Sequence, residues 1–348
     1  MYQNIKFYCQ FFFFSKFMMQ IQPEEEPLYE WKFVDSLDKA TVTFTLPNGL
    51  EVFDIHFTEY NDKQSILVET QFKIPYLCGM LPSTYSSIDA QMIDNNYIVT
   101  INKSEKKEWP RLIIAKNKYI FSIDPKSALL LYKDTLTNKN SNYSAAMEML
   151  EFSAFSFFLP AVRECALVYL KNRETQNSAF QLLQIGTDKY QDPSCAYQLG
   201  LILSTVQNMK KKAFGYMKFA AEKGISDAMA ALGEFYSSLS NLEYSEKDAQ
   251  QALIWLNKAN ETQDNWVACH ELAKLYLSGT GIEKNIEKAK NFQLRARVIN
   301  PKCPELSFDE TSEESSDAKP ASQILFGSAA LAAIAGFGFV VYRSLRRK

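Results

Sequence analysis

Histidine is nearly absent from this 348-residue chain, which has two, His56 and His270, and its six cysteines stand singly with no CxxC pair. Zinc sites and disulfide frameworks are built from clustered Cys and His. The scatter of Cys9, Cys78, Cys165, Cys195, Cys269 and Cys303 therefore argues against both and leaves reduced, mostly buried thiols. No GxxxxGK[ST], GxSxG or HExxH string occurs, and no GxGxxG follows a strand pattern. Two histidines supply few general bases, and the carboxylates show no spacing that pairs two across a cleft. The chain is read as a non-enzyme with no cofactor and no metal. Excess charge is missing too, because 38 basic residues face 40 acidic ones. No field draws nucleic acid, and the one basic cluster sits at the far C-terminal end.

What is present begins after residues 1–22, which are set aside as an N-terminal extension of uncertain standing. Lys6 and the run Phe7 to Phe14 have the look of a short signal peptide, but Gln10 interrupts the run, Lys16 follows it and no small-x-small cleavage site appears. From Pro27 the pattern has period two, in "ATVTFTLPNGLEVFDIHF", "QSILVETQFKIP" and "NNYIVTINKS". Val42, Phe44 and Leu46 point one way and Thr41, Thr43 and Thr45 the other, as half-buried antiparallel strands require. Turn residues at Pro47 to Gly49 and at Asp94 to Asn96 space the strands closely, which predicts a small β-sandwich over 23–120.

Several strings here resemble the CS domain, and within it the type found in nuclear distribution protein C. They are "YEW" at Tyr29 to Trp31, "LP" at Leu46 and Pro47, "PYLCGMLP" with Pro75, Leu77, Gly79 and Leu81, and above all "VTINKSEKKEWPRL" from Val99 to Leu112. The family's tryptophan on the strand before Asp94 is missing, since this chain reads "SSIDAQMID" there. The resemblance implies a seven-stranded antiparallel sandwich that binds client proteins as a co-chaperone, often beside the ninety-kilodalton heat-shock chaperone, and implies no catalysis. Trp31 is expected in the core. Trp109 is expected to cap the sandwich with one edge exposed, so that Lys103, Lys106, Lys107, Trp109 and Pro110 are the candidate protein-binding residues.

After Pro125 the period lengthens to that of helices and a repeat appears. Aligning "SCAYQLGLIL", "DAMAALGEFY" and "VACHELAKLY" puts Leu199, Leu232 and Leu272 in register. Each is followed by a small residue, Gly200, Gly233 or Ala273, and preceded four earlier by another, Cys195, Ala228 or Ala268. Small residues one turn apart leave a groove for a neighbouring helix. Second helices align as well: Ala213, Tyr216 and Ala220 with Ala252, Trp255 and Ala259, then with Ala289, Phe292 and Ala296. An aromatic wedge between small residues is the expected packing of stacked helix pairs. These strings resemble Sel-one-like repeats, relatives of the tetratricopeptide repeat, with "LYLSGTGIEKNIEKA" and its Gly279 and Gly281 the most faithful copy. The resemblance implies an α-solenoid over 141–300 whose surface holds other proteins.

Beyond the repeats, 301–322 is rich in Ser, Asp and Glu and is expected to be a disordered tether. Ile324 to Tyr342 then forms an uncharged run of 19 residues, roughly 28 Å as a helix, enough to cross a hydrocarbon core. Ser328, Ala332 and Gly336 on one face would let a second copy approach, giving a homo-oligomer. A short, modestly apolar span followed by Arg343, Arg346, Arg347 and Lys348 fits a tail anchor in the mitochondrial outer membrane, with endoplasmic reticulum and peroxisome as alternatives. The fold class expected is thus multidomain: all-β sandwich, α-solenoid and one C-terminal transmembrane helix. The function expected is a membrane-tethered co-chaperone or adaptor at an organelle's cytosolic face. The alternative is a type I endoplasmic reticulum scaffold with lumenal repeats, for which the retained cytosolic cations also suit.

Overall fold

A computed structural model of the chain describes residues 31–45, 55–70, 75–93, 96–137, 142–206, 208–237, 248–279 and 282–308. The N-terminal extension, the turn at Pro47 to Gly49, Asp94 and Asn95, Gly281, the apolar run over 324–342 and the four terminal cations lie outside the described residues. Among the described residues no helix is long and apolar enough to cross a membrane. The chain divides into two units, Met1–Cys165 and Ala166–Lys348.

Among the described residues of the first unit, seven strands form two antiparallel sheets. β1 (Trp31–Asp35), β2 (Lys39–Thr45), β7 (Asn96–Lys103) and β6 (Tyr85–Ile93) lie in the order β1-β2-β7-β6, and β3 (Ile55–Glu59), β4 (Ser65–Thr70) and β5 (Pro75–Met80) form the other sheet. The period-two pattern sets the faces: Ala40, Val42 and Phe44 are buried while Thr41 and Thr43 are only half-covered. β2 and β7 then pair Val42 with Val99 and Phe44 with Tyr97, joining two apolar rows in one core.

That core does not stop at the strands. Helix α1 (Pro125–Thr137) fills the stretch left unassigned between the two expected domains, and α2 (Tyr143–Phe155) packs beside it. Ala128 of α1 belongs to the sandwich core, with Leu131, Met149 and Phe152 against it. Asp124 is the joint. It caps α1 by accepting from the Ser127 amide at 2.9 Å, also accepts from the Cys78 amide at 3.2 Å and from Trp31 Nε1 at 3.4 Å, and is wholly buried. Burial outweighs these hydrogen bonds and pushes its carboxyl above the ordinary range. Ser153 of α2 donates to the Pro125 carbonyl at 2.5 Å.

Helix α3 (Leu159–Leu170) runs across the division between the units. The second unit continues with α4 (Gln176–Asp188), α5 (Pro193–Ser204), α6 (Lys210–Glu222), α7 (Ser226–Ser237), α8 (Ala249–Thr262), α9 (Trp266–Ser278) and α10 (Ile286–Ile299). The local sequence starts these helices where it should. Asp192, Asp248, Asn265 and Asn285 cap α5, α8, α9 and α10 through their side-chain oxygens, and Pro193 opens α5. Gly279 ends α9 in the left-handed region with φ 67°, which a side chain rarely adopts. No strand falls between Ala196 and Arg297 among the described residues.

Candidate functional site

Helices α5, α7 and α9 are the first members of three helix pairs, and α6, α8 and α10 the second. At the register positions Leu199, Leu232, Leu272, Ala228, Ala268 and Ala289 are all fully buried. The glycines following the leucines are contact points. A Cβ on Gly200 would stand 2.7 Å from Met217 Cγ, and one on Gly233 would stand 2.4 Å from Leu256 Cγ.

These contacts correct the expected wedge. Tyr216, Trp255 and Phe292 are only half-buried flanks, and Trp255 lies under Lys258 Nζ, 4.9 Å from its ring centre. The residue after each aromatic, Met217, Leu256 or Gln293, is buried, and Met217 and Leu256 lie against Gly200 and Gly233. It sits four residues after the first alanine and three before the second, so the three share one helical stripe. In the last pair the plug is polar. Gln293 is satisfied by His270 Nδ1 at 3.0 Å and by the Pro304 carbonyl, to which its amide donates at 2.5 Å. His270 and Cys303, 3.5 Å apart, are thus part of the packing at the end of the repeats. Among the described residues no group of three or more His, Cys, Asp or Glu is disposed to hold a metal.

The surface of the first helices carries the unusual chemistry. Glu271 of α9 is buried, and both its oxygens accept from Lys274 Nζ at 2.8 Å. Glu234 of α7 is half-buried; its backbone carbonyl accepts from Ser237 Oγ at 3.2 Å, and among the described residues its carboxylate has no hydrogen-bond or ion-pair partner. Burial and then the Glu271 carboxylate push it up to about 8, with Lys274 opposing. Burial likewise raises the Tyr197 phenol on α5, with Asp227 and Glu234 adding to it. Asp227 itself accepts from Asn265 Nδ2 at 2.8 Å. Three successive first helices therefore bring one aromatic hydroxyl and three carboxylates within electrostatic reach, against one lysine. Neither Glu234 nor Glu271 stands out in the sequence, since "DAMAALGEFY" also holds Asp227 and "VACHELAKLY" also holds Lys274.

The first unit disposes of its candidates differently. Lys106, Lys107 and Pro110 are exposed, but Trp109 is 2% exposed and Lys103 8%, so these two are withdrawn from the docking surface. Trp109 donates through its amide to Asp35 Oδ2 at 2.8 Å and through Nε1 to Ser83 Oγ at 3.1 Å. Lys103 Nζ lies 4.7 Å from the Trp109 ring centre and 2.8 Å from Asp35 Oδ1, and donates to the carbonyls of Ser36 and Lys107. A lysine so placed ties down the end of β7 and offers nothing to a partner.

Comparison with known proteins bears on the helical unit. The Sel1 repeat family model matches 193–225, 226–261 and 266–296, one match for each helix pair. A Sel1 repeat protein from Oxalobacter formigenes is 23% identical, with a TM-score of 0.42, over 49% of this chain and 70% of that one. The protective antigen c5321 of uropathogenic Escherichia coli, which displays an SLR fold, is 21% identical with a TM-score of 0.43, over 51% of this chain and 38% of its own. The nuclear movement protein of E. cuniculi GB-M1 is 19% identical with a TM-score of 0.21, over 24% of this chain and 98% of its own. No curated protein matches the chain. The three helix pairs from Pro193 to Ala296 are Sel1 repeats.

Proposed function

We propose that this protein is a non-enzymatic adaptor that holds other proteins on the surface of its repeats and receives a basic side chain of the partner at Glu234. The observation that carries this is an unpaired, half-buried carboxyl beside a second acid, on a face where Tyr197 supplies an aromatic wall. A carboxyl raised to about 8 is mostly protonated at neutral pH. A docking Lys or Arg would return it to its charged form, so binding and proton release are linked.

The sign of the stability effect follows from the same shift. Stability lent by protonated Glu234 is complete below the ordinary carboxylate range and is lost as pH rises through about 8. Glu234→Gln is therefore expected to match the natural chain near pH 4 and to exceed it by ~1–3 kcal/mol near pH 9, after allowing for solvent at the exposed edge of the group. The binding test uses the full chain and a positional library of Lys- and Arg-containing peptides, followed by calorimetry in buffers of different ionisation enthalpy. The expected result is binding with proton release, and loss of that release with at least tenfold weaker binding for Glu234→Gln. No binding by any peptide, or equal binding by the two chains, overturns the reading.

The finer parts of the proposal rest on the sequence. A co-chaperone role, with or without the ninety-kilodalton heat-shock chaperone, is supported by the "VTINKSEKKEWPRL" string and by the seven strands in two antiparallel sheets among the described residues. Tethering to the mitochondrial outer membrane is supported by the uncharged run over 324–342 and the cations after it. Residues 318–348 fused to a fluorescent reporter should reach the mitochondrial surface, and replacing the four cations by Ser or Gln should shift the reporter to the endoplasmic reticulum. A reporter left in the cytosol defeats the tether and leaves the adaptor untouched.

A further inference from the structure

We infer that the loop tip Tyr119-Ile120-Phe121 is a wedge that enters the interfacial region of an anionic lipid bilayer. Three consecutive apolar residues are exposed there by 44%, 45% and 79%, whereas the other exposed large apolar residues among the described residues stand singly. An exposed apolar run of this kind carries a cost in solubility that an ordinary loop avoids by using polar residues. The backbone is also held against its preference, with Phe121 in the left-handed region at φ 52°. That conformation is unfavourable for an aromatic residue and persists only where its surroundings impose it.

Those surroundings are built. Asn117 is fully buried, and its Nδ2 donates to the Ile66 carbonyl at 3.3 Å. Its Oδ1 accepts from the amides of Tyr119 at 2.9 Å and Ile120 at 3.3 Å, while its own amide donates to the Ser122 carbonyl at 2.7 Å. Tyr119 stacks flat on Tyr60, with ring centres 4.7 Å apart and planes 6° apart. Lys118 lies over the Tyr119 ring and pairs with Asp62 at 3.0 Å.

Two features favour a bilayer over a protein pocket. In hydrocarbon an unpaired N–H is costly, and the amides of Tyr119 and Ile120 are satisfied within the loop before any partner arrives. Behind the apolar tip come a tyrosine pair and the exposed Lys63, Lys116 and Lys118, against exposed Glu59 and the engaged Asp62. Apolar tip, aromatic base and cations at the rim follow the polarity gradient of an anionic membrane surface. A wedge of two or three side chains binds weakly alone and acts as a second attachment, which sets how a chain already at a membrane faces it.

The test places an environment-sensitive fluorophore on Phe121→Cys in the full chain with Cys9→Ser, the five described native cysteines being buried. A second chain carries the label at Ile120→Cys. Each is mixed with vesicles of phosphatidylcholine alone or with phosphatidylserine. The expected result is a blue shift at both positions, stronger with phosphatidylserine, quenching by lipids spin-labelled in the upper acyl chain, and loss of both effects when the neighbouring tip residue is changed to Asp. A label that stays water-like with every vesicle overturns the inference, whether or not the chain itself floats with the lipid. So does a blue shift without vesicles or one that spin-labelled lipids leave unquenched, since the wedge then sits on protein.

Discussion

Gly233→Trp is expected to abolish the cooperative unfolding of the repeats. The physical reason is a single contact: any Cβ at this position would lie 2.4 Å from both Cγ and Cδ2 of Leu256. Leu256 is fully buried among Ala228, Leu232, Ala252 and Ala259 and has nowhere to retreat. Gly233→Ala alone should cost about 1–3 kcal/mol by overpacking, and Trp should cost about 4–5 kcal/mol or more, comparable with the whole stability of a small domain. Ala228→Trp should act in the same direction from the same core. Urea melts followed by helical circular dichroism would show a lowered midpoint for Ala and a broad, early transition for Trp. Leu256→Ala should return part of the loss in the Gly233→Ala chain, so the two changes combine to less than their sum. An unchanged melt for Gly233→Trp would mean that the helices do not meet at this glycine, and the stacking argument would fall with it.

Much of this architecture was legible because a regular period maps directly onto a buried face. The alternation in β2 named its inner residues, and the Leu-small and Ala-x6-Ala spacings named the faces of all three repeat pairs. The errors arose where the answer depends on which neighbour covers a face. Aromatic size points to Tyr216, Trp255 and Phe292, yet the groove beside a glycine is filled by the side chain that faces it, Met217 or Leu256. The charge of Lys103 suggests the surface, but the phase of β7 argues otherwise. Tyr97, Val99 and Ile101 are the buried residues of that strand, and Lys103 is the next on the same side. Helical period after Pro125 was visible as well, but not that α1 and α2 complete the sandwich core, since nothing in a 3.6-residue period says what lies opposite. Glu234 and the 119–121 tip escaped for a related reason. One acid, or three apolar residues in a loop, stands out only once burial and exposure are known.

Asp124→Ala should produce the largest loss in the first unit. One carboxylate accepts from three N–H groups on three separate parts of the chain: Trp31 on β1, Cys78 on β5 and Ser127 in the first turn of α1. Removing it leaves three donors in a site closed to water, each worth about 1–3 kcal/mol when unmade. Relief of the buried charge returns part of that, because burial already disfavours the ionised form. A net cost of about 3–5 kcal/mol is expected, with Asp124→Asn losing less because one acceptor oxygen remains. Trp31, 5% exposed, reports the event directly, and its emission should shift to the red as its indole N–H loses its partner and water enters. The same reasoning predicts that a chain ending at residue 120 lacks the stability of one continuing through residue 165, because it discards Asp124 together with α1 and α2. If Asp124→Ala leaves both the unfolding midpoint and the Trp31 emission in place, the helices are appended to the sandwich and take no part in holding it.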